Sequence, residues 1–207
     1  MIIRKAQIED IPYLVDAIIS IEECKNSDTF SNLFGCNSVQ TKEYLKSFFL
    51  DNENLDNEFS LNSYIIAEID NEYAGSASLI KTNADYYQNK SDLYPIHLQK
   101  EHLLAFINNV KTLPTTKNTS DDLFFIEYIF VNPKYRGKGI ANKLIDEIAQ
   151  KNKLREVYLN VMDNNLNAIN AYKKIGFKEY KTVEIDTIDN TIFPSITKKI
   201  LRKKYFI

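Results

Sequence analysis

The chain has 207 residues, of which 44% are hydrophobic, and its formal net charge at pH 7 is −2. That length and composition favour one globular domain with a core that needs no disulfides. The slight negative charge argues against a nucleic-acid-binding protein, because such proteins normally carry a basic surface. The sequence contains neither an apolar signal segment nor about 18 consecutive apolar residues, so we expect a cytoplasmic protein that contacts no membrane.

The first 80 residues predict a strand, two helices and a hairpin. Residues 1–6 are predicted to form the strand, and residues 8–21 and 39–50 the helices. Residues 63–69 and 74–80, separated by Asp70-Asn71-Glu72, predict a β-hairpin. The polar connection between the second helix and the hairpin carries the acidic residues Asp51, Glu53, Asp56 and Glu58.

The cysteines and histidines do not have the spacing of metal ligands. Cys24 and Cys36 show neither metal spacing nor a paired framework, so we expect two free thiols. His97 and His102 are five positions apart, which does not place two ligands on one helix face, and we assign structural roles to both. They lie in a predicted helix, residues 97–110, which a polar loop follows.

A strand and an amphipathic helix are joined by a glycine-containing turn in residues 123–150. Residues 123–131 are apolar apart from Glu127, as expected of a mostly buried strand. The turn contains Gly137 and Gly139, whose backbone can approach an anion closely, and Arg136, whose guanidinium suits phosphate oxygens. The turn therefore predicts a phosphate-bearing ligand of the nucleotide type.

The spacing of this turn excludes two other phosphate-binding motifs. In a P-loop the second glycine is followed by lysine and then by serine or threonine. In this chain Ile140 and Ala141 follow Gly139. A dinucleotide fingerprint needs a third glycine where this chain has Asn142, and an acidic residue about twenty positions later, where it has Asn160-Val161-Met162. On this turn alone, a plain strand-turn-helix junction stays open.

Two separated motifs resemble the conserved blocks of a known superfamily. Arg136-x-x-Gly139-x-Ala141 resembles the pyrophosphate-binding turn of the GCN5-related N-acetyltransferases, the GNAT superfamily. The segment Asn165-x-x-Ala168-x-x-x-Tyr172-x-Lys174-x-Gly176-Phe177 is similar to the second block of that superfamily, at the usual separation. Residues 156–161 predict a strand, and residues 167–175 a helix that Gly176 ends.

The resemblance implies the GNAT fold. This is an α/β (α+β) structure with a mixed central sheet of about six to seven strands and a splayed parallel pair flanked by helices. It also implies a single N-acetyltransferase domain over residues 1–207, with a variable insertion at about residues 81–122.

The resemblance implies acetyl-CoA as co-substrate and no metal. In the family the pantetheine arm hydrogen-bonds to the central strand as an added strand would, which here assigns the backbone of Ile129 and Val131. Asn165 would orient the cofactor amide or cap its helix, and both roles are compatible. Transferred residue by residue, the cofactor-binding set is Ile129, Phe130, Val131, Arg136, Gly137, Lys138, Gly139, Ile140, Ala141, Asn165 and Tyr172.

Three residues are candidates for catalysis. An alkyl ammonium has a pKa of about 10.4, so the acceptor must lose a proton before attack. Glu127 is the predicted base, although strict strand alternation would place it and Phe130 on opposite faces unless a bulge intervenes; an exposed carboxylate, or one paired with an internal cation, is the alternative. The resemblance implies the backbone N–H of Phe130 as oxyanion donor and Tyr172 as the acid for the leaving thiolate. A tyrosine that only covers the core is the alternative for Tyr172.

The predicted function is transfer of the acetyl group from acetyl-CoA to a primary amine by direct attack in a ternary complex. We favour a small cationic amine as acceptor, with a peptide as the other substrate class. A catalytically inactive CoA-binding regulatory or scaffold protein, or an acyltransferase acting on protein N-termini, stays open as an alternative. We expect no nucleic-acid partner, and the resemblance is compatible with a homodimer. The high lysine and asparagine content is typical of a bacterial source with an AT-rich genome.

Two charged segments have simple interpretations. The resemblance places the acidic connection, residues 51–60, beside the acceptor cleft, where it would form a rim for a cationic amine, but a solvated loop explains the same charges more simply. Residues 198–204 predict a last strand whose lysines guard an exposed sheet edge. Contact of that segment with a cofactor phosphate, or with nucleic acid, is the alternative.

Overall fold

The structure of the chain is a computed structural model, which describes residues 1–24, 27–51, 53, 56–112, 122–184 and 197–206. The helices in these ranges are α1 (Ile11–Ile21), α2 (Thr29–Phe34), α3 (Ser38–Leu50), α4 (Ala84–His97), α5 (Lys100–Asn109), α6 (Ile140–Lys151) and α7 (Leu166–Lys174). The strands are β1 (Ile2–Lys5), β2 (Glu23–Cys24), β3 (Ser27–Asp28), β4 (Tyr64–Ile69), β5 (Glu72–Thr82), β6 (Leu123–Val131), β7 (Glu156–Met162), β8 (Lys178–Glu184) and β9 (Thr197–Lys204). None of the described helices is long and apolar enough to cross a lipid bilayer.

Seven of the described strands form one mixed sheet in the order β1-β4-β5-β6-β7-β9-β8. All neighbours are antiparallel except β6 and β7, which run parallel. In their described residues these two strands share a single register pair, Phe125 and Tyr158, and they diverge beyond it. The predicted mixed sheet with a splayed parallel pair flanked by helices is confirmed.

The two faces of the sheet are covered by different helices, as alternate residues of β4 indicate. Tyr64 and Ile66 are buried in an aromatic-rich core with α1, α2 and α3, whereas Ile65 and Ala67 are buried against α6. Because successive side chains of a strand point to opposite faces, the sheet separates these two cores. Residues of α1, α2, α3 and α4 can therefore contribute only to a ligand site on the α1 side of the sheet.

The segment between β5 and β6 contains two helices where the sequence predicts one. The predicted helix, residues 97–110, corresponds to α5, but α4 before it was missed. Asn83 begins α4 by accepting a hydrogen bond from the backbone of Tyr86, and the helix buries Tyr86 and Leu93. These two residues are separated by polar positions and Pro95 lies inside the helix, so the helical period is hidden in the sequence. The predicted polar loop lies outside the described residues, except for Asp122.

One interpretation of a charged segment is wrong, and a second is wrong at one residue although Glu53 and Asp56 are exposed as it expects. The predicted last strand, β9, is present, but it lies inside the sheet between β7 and β8, and β8 is the edge. The order of strands along the chain does not determine their order in space, so the lysines of β9 do not guard an edge. In the acidic connection, Glu58 is only 3% exposed, which contradicts a solvated loop at that position.

The histidines and Cys36 have local partners in the structure. His97 Nε2 lies 2.7 Å from Asp51 Oδ2, and His102 Nδ1 lies 2.6 Å from the hydroxyl of Tyr44. Cys36 is a free thiol whose sulfur lies 3.2 Å from Thr41 Oγ1. These contacts agree with structural roles for both histidines. The side chain of Cys24 lies outside the described residues.

Candidate active site

A cleft of about 960 Å³ opens where β6 and β7 diverge. Its walls come from β6, β7, β9, α7, the end of α1, α2 and α4. Its volume lies within the range of about 300–1,000 Å³ that is usual for small-molecule sites. The cleft joins the glycine turn after β6 to a polar chamber on the α1 side of the sheet.

A β-bulge in β6 shapes the floor of this cleft. While β5 advances from Ser76 to Ser78, β6 moves from Phe130 back to Glu127, so β6 holds one extra residue. Tyr128 has a left-handed φ of 49° at this point. That conformation costs a non-glycine residue on the order of 1–3 kcal/mol and persists where the surrounding structure enforces it.

The bulge places Glu127 and Phe130 on the same face of the sheet. Ile126 and Ile129 pack on the α6 side, whereas Tyr128 packs in the α1-side core. The ring of Phe130 meets Tyr13 of α1 edge-on, with centroids 6.2 Å apart. Strict alternation would have separated Glu127 from Phe130, so the extra residue removes that conflict.

Glu127 lies half-buried in the cleft and has one direct side-chain partner among the described residues. Asn160 Nδ2 of β7 donates a hydrogen bond of 2.5 Å to Glu127 Oε1. Burial raises the pKa of Glu127 to about 7, against the lowering effects of Lys198 and Asn160. The carboxyl group is therefore poised to gain or lose a proton near neutral pH.

A partly buried ion pair lines the cleft at α4. Lys90 of α4 pairs with Glu58, and the hydroxyl of Tyr86 donates a hydrogen bond of 2.8 Å to the second oxygen of Glu58. This contact joins α4 to the acidic connection before β4. Both charges of the pair are thereby compensated within the protein.

The glycine turn has the shape of an anion-binding site. Gly137 and Gly139 have φ angles of 79° and 73°, and a Cβ atom built on either glycine would meet no described atom within 4 Å. Glycine is thus needed for the backbone angles, and the open space leaves room for a ligand. Gly139 is the N-cap of α6, so the N–H groups of Ile140 and Ala141 lack helical partners. These features suit phosphate oxygens.

The two basic residues of this turn lie at different places. Arg136 is exposed and its Nε donates a hydrogen bond of 3.3 Å to the carbonyl of Val131, one of the backbone groups that the sequence assigns to the cofactor. Lys138 lies with its Nζ 4.9 Å from the ring centre of Tyr135. Arg136 borders the cleft, whereas Lys138 is not among its lining residues.

Asn165 and Tyr172 of α7 line another wall of the cleft. Asn165 Oδ1 accepts a hydrogen bond of 3.1 Å from Ala168 N, so this residue caps the helix. Tyr172 lines the cleft and packs its ring edge-on against Phe177. Burial raises the pKa of Tyr172 to about 12, and the charge of Glu127 adds to the effect. The phenol stays protonated at neutral pH and can donate a proton.

Sequence reasoning missed several polar residues of the cleft. Asn160 holds Glu127, Lys198 of β9 and Glu22 at the end of α1 line the same chamber, and Lys90 neutralises Glu58. A polar residue in the apolar strand 156–161 was a usable signal for Asn160. The other contacts join segments far apart in the chain and left no local pattern. In the described part of the chain, His, Cys, Asp and Glu side chains form no group of three suited to a metal ion.

The fold and site define a class of protein in which a splayed parallel pair and a glycine turn at a helix N-terminus border one ligand cleft. A family model described as the acetyltransferase (GNAT) family matches residues 27–177. The chain belongs to this family.

Proteins of similar sequence include two named N-acetyltransferases. The spermine/spermidine N(1)-acetyltransferase of Bacillus subtilis strain 168 is 33% identical over 58 residues, which cover 26% of this chain and 38% of that protein. The thialysine N-epsilon-acetyltransferase of Sus scrofa is 33% identical over 63 residues, which cover 29% of this chain and 37% of that protein. The chain thus matches less than two-fifths of the length of either relative.

A solved structure of an N-acetyltransferase from Staphylococcus aureus Mu50 has a similar fold over nearly the whole chain. The TM-score is 0.72 at 20% sequence identity, and the match covers 98% of this chain and 100% of that one. At this identity the likeness concerns the fold.

Proposed function

We propose that this protein is an acetyl-CoA-dependent N-acetyltransferase that acts on a primary amine by direct attack in a ternary complex. The observation that carries the proposal is that Glu127 and Tyr172 face one cleft at the strand divergence, with pKa values of about 7 and about 12. A base that ionises near neutral pH and a protonated phenol are the two proton-transfer groups the reaction needs. The names of the two relatives are consistent with an amine acceptor.

The residues of the cleft fit acetyl-CoA. The open turn at Gly137 and Gly139, with the free N–H groups of Ile140 and Ala141, would hold the pyrophosphate, and Arg136 would add a positive charge beside it. The backbone of Ile129 and Val131, residues that line the cleft, would hold the pantetheine arm between the splayed strands. The co-substrate supplies an acetyl group activated as a thioester.

Glu127 would accept the proton of the acceptor ammonium, directly or through one water molecule. The carboxylate is held by Asn160, and its raised pKa brings it closer to that of the amine than an exposed carboxylate would be. The neutral amine then forms the N–C bond and the C–S bond breaks. The nitrogen loses its second proton to solvent, and solvent returns a proton to the phenol of Tyr172 after that hydroxyl has protonated the sulfur. The proton stays with Glu127 until solvent removes it.

Phe130 and Tyr172 would stabilise the two developing negative charges. The backbone N–H of Phe130, next to the bulge, would donate to the oxygen of the reacting carbonyl. The hydroxyl of Tyr172 would donate its proton to the sulfur as it leaves. No covalent link to the protein forms in this scheme.

The test is acetyl transfer by the purified protein, measured as thiol release and as product mass over a panel of primary amines. We expect transfer to at least one amine, and we expect Tyr172→Phe to lower kcat by about 10²-fold or more, within the range for removing a positioned acid, with little change in acetyl-CoA affinity. Tyr180→Phe is the matched control, because Tyr180 lies on the edge strand β8 and packs on Tyr158. Acetyl-CoA binding without transfer to any amine would favour an inactive CoA-binding protein instead.

A further inference from the structure

Lys198 differs from Lys199 and Lys203 of β9 because no carboxylate in the described ranges lies within ion-pair distance of its Nζ. Lys199 pairs with Glu179 at 2.8 Å, and Lys203 pairs with Asp146 at 2.7 Å. Strand alternation turns Lys198 to the face opposite Lys199, and there it lines the cleft. Lys198 is therefore an uncompensated cation in the wall of the acceptor chamber.

The other charged residues that line the cleft are paired with one another or lie beyond ion-pair distance of Lys198. Glu58 and Lys90 neutralise each other through their ion pair. Glu127 attracts Lys198 electrostatically but lies beyond ion-pair distance, and Asn160 occupies one of its oxygens. Among the described residues that line the cleft, the other charged groups are Glu22, Glu23 and Arg136, and burial raises the pKa of Glu22.

The surroundings of Lys198 make an unpaired charge costly. Its neighbours in the cleft wall include Met162, opposite it on β7, and the apolar side chains of Ile200 and Val183. Burial lowers the pKa of Lys198 even though the nearby carboxylates favour its charged form. A cation in such a place is stabilised when a bound anion completes its hydrogen bonds.

We propose that the acceptor amine carries an anionic group, a carboxylate or a phosphate, which pairs with Lys198 while the amine approaches Glu127. The inference rests on the proposed N-acetyl transfer and narrows its substrate class. It also replaces the expected small cationic amine, because two of the acidic residues that would have formed a rim for such an amine already have partners. Asp51 bonds to His97, and Glu58 pairs with Lys90.

The test compares three series of amines that differ only at the far end. The first ends in an anion (glycine, β-alanine, 4-aminobutyrate and O-phosphoethanolamine), the second in a neutral group (ethylamine, propylamine and ethanolamine), and the third in a second ammonium (ethylenediamine, 1,3-diaminopropane and putrescine). For the unaltered enzyme we expect kcat/KM to fall in that order. The chain length with the highest value gives the spacing between amine and anion, and the phosphate member distinguishes the two kinds of anion.

Variants of β9 assign the preference to one side chain. Lys198→Met should lower the ratio of kcat/KM for the best anionic amine to kcat/KM for the neutral amines by about tenfold or more, as expected for loss of a charge-assisted hydrogen bond. The ratio is the readout because loss of this charge also raises the pKa of Glu127, which changes the rate with every amine equally. Lys198→Arg should keep the order of kcat/KM among the three series of amines. Lys199→Met is the matched control, because Lys199 lies outside the cleft and pairs with Glu179.

Three outcomes would overturn the inference. Diamines preferred by the unaltered enzyme would reverse the charge requirement, and this result depends on no variant. Equal losses for all three series in Lys198→Met, with thermal unfolding unchanged, would make Lys198 a general catalytic or structural group. Absence of transfer to every amine despite acetyl-CoA binding would remove the proposed function itself, and the inference with it.

Discussion

The protonation of Glu127 sets the pH range of the proposed reaction. Its pKa of about 7 comes first from burial, and the charge of Lys198 and the hydrogen bond from Asn160 limit the increase. Below that pKa the carboxyl group is protonated and cannot accept a proton from the amine. The rate should therefore fall as pH decreases through about 7, which is the direction that a raised carboxyl pKa requires.

At the residue scale, Glu127→Gln should remove this dependence. We expect kcat at saturating substrates to fall about 10²- to 10⁴-fold. The inflection near pH 7 should disappear, so that the rate rises with pH toward the pKa of the amine, about 10.4. The profile is measured from about pH 5.5 to 9, a range that spans the pKa of about 7 on both sides, in wild type, in the variant and in Glu179→Gln. Glu179 is an ion-paired residue of the edge strand and serves as the control. An acidic limb that persists unchanged in Glu127→Gln would exclude this residue as the base.

The candidate residues differ in whether their local sequence is enough to identify them. Glu127 and Tyr172 were selected from the sequence because a charge interrupts an apolar strand and a tyrosine matches a motif. Asn160 and Lys90 were not, because their roles arise from partners on other strands and helices. Glu58 and Lys198 were noted only as members of charged segments, and their surroundings were not predicted. A local pattern records the burial of a residue, whereas its partner across the sheet depends on the strand order.

At the element scale, the predicted strands and helices of the second half were the most reliable, because each carries its own apolar period or a turn with glycine. The predicted order of β6, α6, β7 and α7 agrees with the structure over the described residues. The bulge in β6 was expected only as a general property, because its position is fixed by the register against β5. The helix α4 was missed because its buried positions are sparse.

The variant Gly75→Ala tests how closely β5, β6 and α6 pack against one another. A Cβ atom on Gly75 would lie 2.7 Å from the backbone oxygen of Phe130 and 3.1 Å from Ile140. Gly75→Ala should therefore push β6 and the start of α6 away from β5, lower the free energy of unfolding by about 1–3 kcal/mol and raise the KM for acetyl-CoA. Thermal unfolding and initial rates measure the two effects.

The control for this variant is Gly35→Ala, which disturbs the packing of α2 on α5 and not that of β5 on β6. A Cβ atom on Gly35 would lie 2.9 Å from Ala105, and Gly35 has a φ of 64°. Gly35→Ala should lower the free energy of unfolding without changing the KM for acetyl-CoA, because α2 and α5 do not contact the glycine turn. A Gly75→Ala protein with wild-type stability and KM would contradict the close packing of β6.

At the scale of the whole molecule, the sequence predicts the class of sheet but not its strand order. β9 enters the sheet between β7 and β8, which brings Lys198 into the cleft and makes β8 the edge. The same chain with β8 beside β7 would have the same local patterns of apolar residues. The energy that decides between the two arrangements comes from contacts between distant segments, such as Leu159 opposite Leu201.

Because the cleft is formed by elements of both cores, a ligand that fills it should stabilise the whole fold. Acetyl-CoA and CoA at about 100 times their Kd should each add about 2.7 kcal/mol to the free energy of unfolding. For a chain of this length, about 1 kcal/mol corresponds to about 2–4 °C, so we expect the Tm to rise by several degrees. ATP and NADH, which share the adenine and phosphates but lack pantetheine, should raise the Tm less, because they can use the glycine turn but not the edges of β6 and β7. Differential scanning fluorimetry with the four ligands in parallel measures this, and equal shifts for all four would mean that the divergence of β6 and β7 does not contribute to binding.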